Sequence, residues 1–144
     1  MKTLPDENSK RFIAILNKKI EPGRLMNALG HITAGISGGS GKSNEMHFLQ
    51  YQDKNNGIHP NISHFPFIVL KADNSNKIRK VRYECVKRNI PFSDFTSTMI
   101  IGTSQEQQDA TKNTYEEELD YYAIVLFGST TELKEFTGKF SLYN

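Results

Sequence analysis

Three short apolar runs punctuate an otherwise polar chain: Phe12-Ile13-Ala14-Ile15-Leu16, Phe67-Ile68-Val69-Leu70, and Tyr121 through Phe127. None carries a charge. Uninterrupted runs with β-branched and aromatic members suit strands covered on both faces, where no side chain meets water. Between the runs, apolar residues recur at helical spacing. Leu25, Leu29, Ile32 and Ile36 share one stripe at 100° per residue, and Ile78, Val81, Cys85 and Val86 follow an i, i+3, i+7, i+8 pattern. Strands alternating with helices specify an α/β layer fold. We expect three layers, with a mixed central sheet of about four strands, helices on both faces and strand 67–71 internal.

The local signals divide the chain further. The first strand is expected over 11–16, and Pro22 suits the first turn of a helix that ends near Gly35. Ser37-Gly38-Gly39-Ser40-Gly41 reads as a flexible loop, residues 46–52 as a short extended arm, and Asn55-Asn56-Gly57 as a turn. A helix is expected over 75–88, capped by Asp73 or Ser75 and stopped at Asn89. Residues 95–101 read as a strand and 104–118 as a polar helix whose end is solvated by the acids at 116–120. Residues 121–127 form a strand closed by Gly128, and 130–137 a short helix with Leu133 and Phe136 inward. The 144 residues read as one domain, 1–144, with 37–65 a loop-rich insertion.

Composition excludes some classes. At 37% hydrophobic and 24% charged, with no apolar run near the ~20 residues that cross a bilayer, the chain reads as a soluble protein with no membrane partner. The polar start and the short apolar run after it do not form a signal peptide. The single cysteine, Cys85, cannot form an internal disulfide, which points to a reducing cytoplasm. Its place on the apolar helix stripe reads as a buried structural thiol. Net charge is only +2, but Lys77, Arg79, Lys80, Arg82, Lys87 and Arg88 cluster against Glu84 alone. Such a patch fits a phosphate-bearing partner, or simply the outer face of an amphipathic helix.

Several motifs invite a chemical reading. Ser40-Gly41-Lys42-Ser43 imitates the end of a nucleotide-binding loop, but Ile36 stands where the motif needs glycine, and the loop follows a helix. No nucleotide is expected there. His47, His59 and His64, with Asp53, have metal-ligand chemistry, but no metal spacing is present and Pro60 bars a shared helix. They read as parts of a structured loop at 59–64 that hydrogen-bond backbone or line a cleft; no metal or cofactor is expected. Arg24, Asn27, His31 and Gly35 form a polar stripe beside the first helix's core face, either a cleft wall or an ordinary helix shoulder. In extended chain, Asp94, Thr96 and Thr98 point to one face. A carboxylate among hydroxyls can orient a water; equally, Asp94 caps a turn and the threonines fill strand positions.

Gly23-Arg24 followed by Gly30-His31, and Ile90-Pro91 followed by Asp94 and Thr98, resemble the signature segments of type II peptidyl-tRNA hydrolases. Arg24 stands where that family has lysine, Ala28 where it has glutamine, and Thr96-Ser97-Thr98-Met99 replaces its glycine–arginine–threonine–glutamine stretch. Leu-Asn-Lys-Lys at 16–19, and the segments 59–67, 94–99 and 140–143, resemble more closely an uncharacterised bacterial family with that hydrolase-like fold. The resemblance implies that fold, a homodimer, and tRNA or a small acyl compound as partner. It implies a site with Asp94, His31, Arg24 and Thr98 as catalytic residues and Asn27, Lys18, Lys19, Thr96, His59 and His64 as substrate contacts. Three functions stay open: hydrolysis of an acyl ester or amide such as peptidyl-tRNA, a non-catalytic ligand- or RNA-binding module, and a hydrolase or transferase for another small substrate.

Overall fold

The structure, a computed structural model, describes residues 3–144. Its strands are β1 (Lys10–Asn17), β2 (Phe48–Gln52), β3 (Ile58–Ser63), β4 (Phe67–Ala72), β5 (Phe92–Thr96), β6 (Tyr121–Ser129) and β7 (Ser141–Leu142). Its helices are α1 (Pro22–Gly39), α2 (Ser75–Arg88), α3 (Ser104–Lys112) and α4 (Thr130–Thr137), and single 3-10 turns cover Ser43–Glu45, Ser97–Met99 and Glu116–Glu118. Five strands form one mixed sheet in the order β5-β6-β1-β4-β7, and β2 and β3 form a separate hairpin. β1 lies parallel to β4, with Phe12 opposite Phe67, and antiparallel to β6, with Ala14 opposite Val125. The fifth strand was not expected: β7 has two residues, too short to show a period, and exists because it pairs with Leu70 and Lys71. That pairing makes β4 internal, as the apolar run 67–70 requires.

Each face of β1 meets a different helix, because strand side chains alternate. Phe12, Ala14 and Leu16 pack against Leu25, Ala28, Ile32 and Ile36 of α1. Ile13 and Ile15 pack toward Ile78, Val81 and Cys85 of α2 and Leu133 of α4. Thus α1 covers one face, and α2 with α4 covers the other.

Several expected boundaries move for local reasons. α1 continues to Gly39, through the segment expected as a loop, because fully buried Ile36 anchors the added turn to the core. The N-cap of α2 is Asn74, whose side chain accepts from the Lys77 amide at 3.1 Å. Asp73 instead pairs with Lys18 and Lys77, and Ser75 Oγ accepts from the Tyr121 amide. Asn89 ends α2 in the left-handed region at φ 57°, as expected. β5 stops at Thr96, before the expected limit of 101. There a hydroxyl chain, Thr96 to Thr98 to Thr111, each step 2.7 Å, ties the following turn to α3. α3 ends at Lys112, and β6 runs two residues beyond Phe127, through Gly128 to Ser129. Residues 58–63, expected as a loop, are the second strand of a hairpin; Pro60 is tolerated there because a hairpin edge needs no N–H. Among the described residues, no helix is long and apolar enough to cross a membrane.

Candidate functional site

β5 alternates between two environments. Ser93 and Phe95 face α1: the Ser93 hydroxyl lies beside Gly35, and Phe95 packs among the α1 core residues with the His31 ring 5.9 Å away. Phe92 and Asp94 face α2. The Arg82 guanidinium sits 5.7 Å from the Phe92 ring centre and pairs with Asp94 at 3.3 Å. Asp94 and His31 therefore lie on opposite sides of the sheet. A cleft shared by Arg24, Asn27, His31, Asp94 and Thr98 does not form, because neighbouring strand residues cannot point the same way.

The other expected site residues are similarly dispersed. Arg24, Asn27 and His31 are exposed along α1. Lys18 pairs with Asp73 at 2.9 Å, and the Lys19 amide donates to Asn17 Oδ1. Thr96 and Thr98 are engaged in the hydroxyl chain to α3. His59 meets Asp53 at 2.9 Å across the hairpin, and His64 Nε2 donates to the Pro5 carbonyl at 2.8 Å. Ala28 is fully buried, so the place of the hydrolase glutamine belongs to the core here.

What the fold does assemble lies on the α2 side. Arg79 pairs with Glu116 at 3.0 Å and donates to the carbonyls of Glu116, Glu117 and Leu119, clamping the acidic turn against α2. The acids at 116–120 therefore do more than solvate a helix end. The Tyr121 hydroxyl donates to the Glu116 carboxylate at 2.6 Å. That bond, followed by Arg79, holds the Glu116 carboxyl below its usual range; burial and then Glu116 push the Tyr121 phenol well up. Asp94 is only 16% exposed, and burial raises its carboxyl above the usual range despite Arg82, with Glu116 adding to the rise. Arg88 pairs with Glu84 on its own helix and binds α2 to α4 through Glu132 and Glu135, its guanidinium 4.8 Å from the Phe136 ring centre.

Along this side runs a groove of about 680 Å³, lined by α2, Glu116, and the chain from Lys134 to Phe140. Half-buried Phe136 and Phe140 supply apolar surface, over the buried Val81, and Tyr83 stands exposed beside them. The arginines of the basic helix are neutralised by Glu116, Asp94, Glu84 and Glu135. Lys80, Lys134 and Lys139 line the groove with no carboxylate within ion-pair distance among the described residues. The sequence signalled the basic half of this site as a charge cluster. It gave no sign of Lys134, Lys139, Phe136 or Phe140, which arrive from the far end of the chain.

A family profile described as "Protein of unknown function (DUF2000)" matches residues 10–144. No curated protein matches the chain. Among solved structures, a protein of unknown function from Agrobacterium tumefaciens strain C58, Atu0240, superposes with a TM-score of 0.81 at 16% identity, covering 94% of this chain and 98% of that one. At that identity the likeness speaks for the fold alone.

Proposed function

We propose, for a chain that belongs to the DUF2000 family of unknown function, a non-catalytic role: binding a small amphipathic anion in the groove between α2 and α4. One observation carries this reading. Three lysines without carboxylate partners among the described residues surround apolar and aromatic surface in a groove of about 680 Å³, within the size range of small-molecule sites. Lysines supply charge to a phosphate or carboxylate head, while Phe136, Phe140 and Tyr83 receive an apolar body. The separation of Asp94 from His31, and the engagement of Thr98, argue against the acyl hydrolase that the resemblance implies.

Calorimetric titration with AMP and with octanoate tests the proposal. Binding of at least one, weakened tenfold or more in the Lys80→Ala/Lys134→Ala double variant and unchanged in Arg24→Ala, is the expected result. Failure of both probes to bind overturns it, as does Asp94-dependent release of peptide from peptidyl-tRNA. A second reading, hydrolysis with tRNA as partner, is favoured by the sheltered Asp94 carboxyl. In it Arg82, not Arg24, steadies the developing negative charge, and the type II peptidyl-tRNA hydrolase likeness supplies the reaction class.

A further inference from the structure

The groove between α2 and α4 is lined by two kinds of cation, and they differ in what they are free to hold. Its arginines are committed. Arg79 directs its fork to Glu116 and to the carbonyls of Glu116, Glu117 and Leu119, and Arg82 pairs with Asp94. Planar carboxylates are matched best by a free guanidinium fork, through two parallel bonds. The lining has no such fork left. Lys77 is paired with Asp73. Three ammonium groups remain, Lys80 from α2 and Lys134 and Lys139 from the opposite wall, with no carboxylate within ion-pair distance among the described residues. Ammonium groups on flexible stems act as point charges and suit a multiply charged, tetrahedral head. A phosphate monoester carries about −1.5 to −2 at pH 7 on three acceptor oxygens, whereas a carboxylate carries a single charge.

The apolar part of the lining is aromatic. Val81, its one aliphatic side chain, is only 3% exposed, whereas the Tyr83 ring is 65% exposed and Phe136 and Phe140 are half-buried. Exposed rings favour a planar ring, which stacks on them, over a flexible acyl chain, which loses rotamer freedom when it is ordered. Tyr83 follows Lys80 by three positions on α2, so the two side chains are neighbours on one helix wall. Carboxylates share the lining as well: Glu84 and Glu135, each held by Arg88. A hydrocarbon chain laid over them strips their water and returns no hydrogen bond. Hydroxyl groups donate to them.

We propose that the ligand of this groove is a nucleoside monophosphate, with its phosphate held by Lys80, Lys134 and Lys139 and its base stacked on Tyr83. The sugar hydroxyls between phosphate and base donate to Glu84 or Glu135. This rests on the amphipathic-anion reading of the same groove and narrows it. A fatty acid anion matches the sign of the charge, but neither its amount nor the aromatic lining. Arg79 and Arg82 keep their partners throughout, so the acidic turn stays clamped to α2 when the ligand binds.

Calorimetric titration of the full chain with AMP, adenosine, octanoate and a 5′-phosphorylated RNA tetranucleotide tests it. AMP is expected to bind at least tenfold more tightly than adenosine or octanoate. Tyr83→Ala is expected to weaken AMP at least fivefold, and Tyr83→Phe to retain it, since the ring and not the hydroxyl stacks; the exposed position lets both variants fold. Octanoate binding as tightly as AMP overturns this inference alone and leaves the amphipathic-anion reading standing. Adenosine binding as tightly as AMP overturns both, as does failure of every ligand to bind. AMP binding that Tyr83→Ala leaves unchanged overturns the inference by placing the base elsewhere. A tetranucleotide that binds tenfold more tightly than AMP overturns it too, and assigns the groove to the end of an RNA chain.

Discussion

Removing either partner of the Asp94–Arg82 pair should have unequal effects, although the two share one contact at 3.3 Å. Burial raises the Asp94 carboxyl pKa despite the arginine beside it, so the ionised form is less favourable in the fold than in water. Asp94→Asn discards that cost and keeps an oxygen acceptor for Arg82, which is 36% exposed and still hydrated. The expected change at pH 7 lies within about 0.5 kcal/mol of zero. Arg82→Leu leaves the carboxylate sheltered and without its counter-charge. Breaking a fully buried pair costs roughly 3–5 kcal/mol. Discounting for the partial exposure, and adding the lost contact with Phe92, gives about 2–3 kcal/mol, or a fall in Tm of about 6–9 °C. The pH dependence follows the same logic. Between the unfolded pKa of about 3.9 and the higher folded value, the native state holds the proton more tightly, so this group's contribution to stability declines as pH rises. The Arg82→Leu deficit should therefore shrink toward pH 4, and Asp94→Asn should flatten the slope. Thermal melts of the single and double variants from pH 4 to 8 measure this. Equal losses for both single variants, or an Arg82→Leu deficit independent of pH, refute the reasoning.

Other consequences are simpler to check. Burial, with Glu84 nearby, pushes the Cys85 thiol up to about 12, so iodoacetamide at pH 8 should leave the native protein unmodified and alkylate it fully in denaturant, as read by mass spectrometry. Asn89 holds φ at 57°, where a Cβ without a helpful side chain is strained; Asn89→Ala should cost about 1 kcal/mol in urea unfolding, and Asn89→Gly almost nothing. Gly38 lies within α1 with nothing within 4 Å of an added Cβ, so Gly38→Ala should raise stability by about 0.5–1 kcal/mol.

Alone, the sequence determined the elements whose stability is mostly local or mostly hydrophobic. The runs 12–16, 67–70 and 121–127 lie in β1, β4 and β6, the stripe through Leu25 faces the core, and so do Ile78, Val81 and Cys85; Val86, expected with them, is 56% exposed because it lies one residue past Cys85, turned off the core face. The limits of α2 were readable because Asn89 closes it, and those of α4 because Leu133 and Phe136 recur at helical spacing. Tertiary contacts decided the rest. β7 exists through its neighbour β4, and β5 stops where Thr98 reaches Thr111. The site was the least legible part. Helical phase placed Arg24, Asn27 and His31 together, and strand alternation placed Asp94 with Thr96, but neither period says which face of the sheet a helix will cover. That depends on the hand of two chain crossings, which puts α1 on one side and α2 on the other. Asp94 consequently meets Arg82, whereas its neighbour Phe95 meets His31. Lys80 is separated from Lys134 and Lys139 by more than fifty positions along the chain, and only the packing of α4 against α2 brings them together.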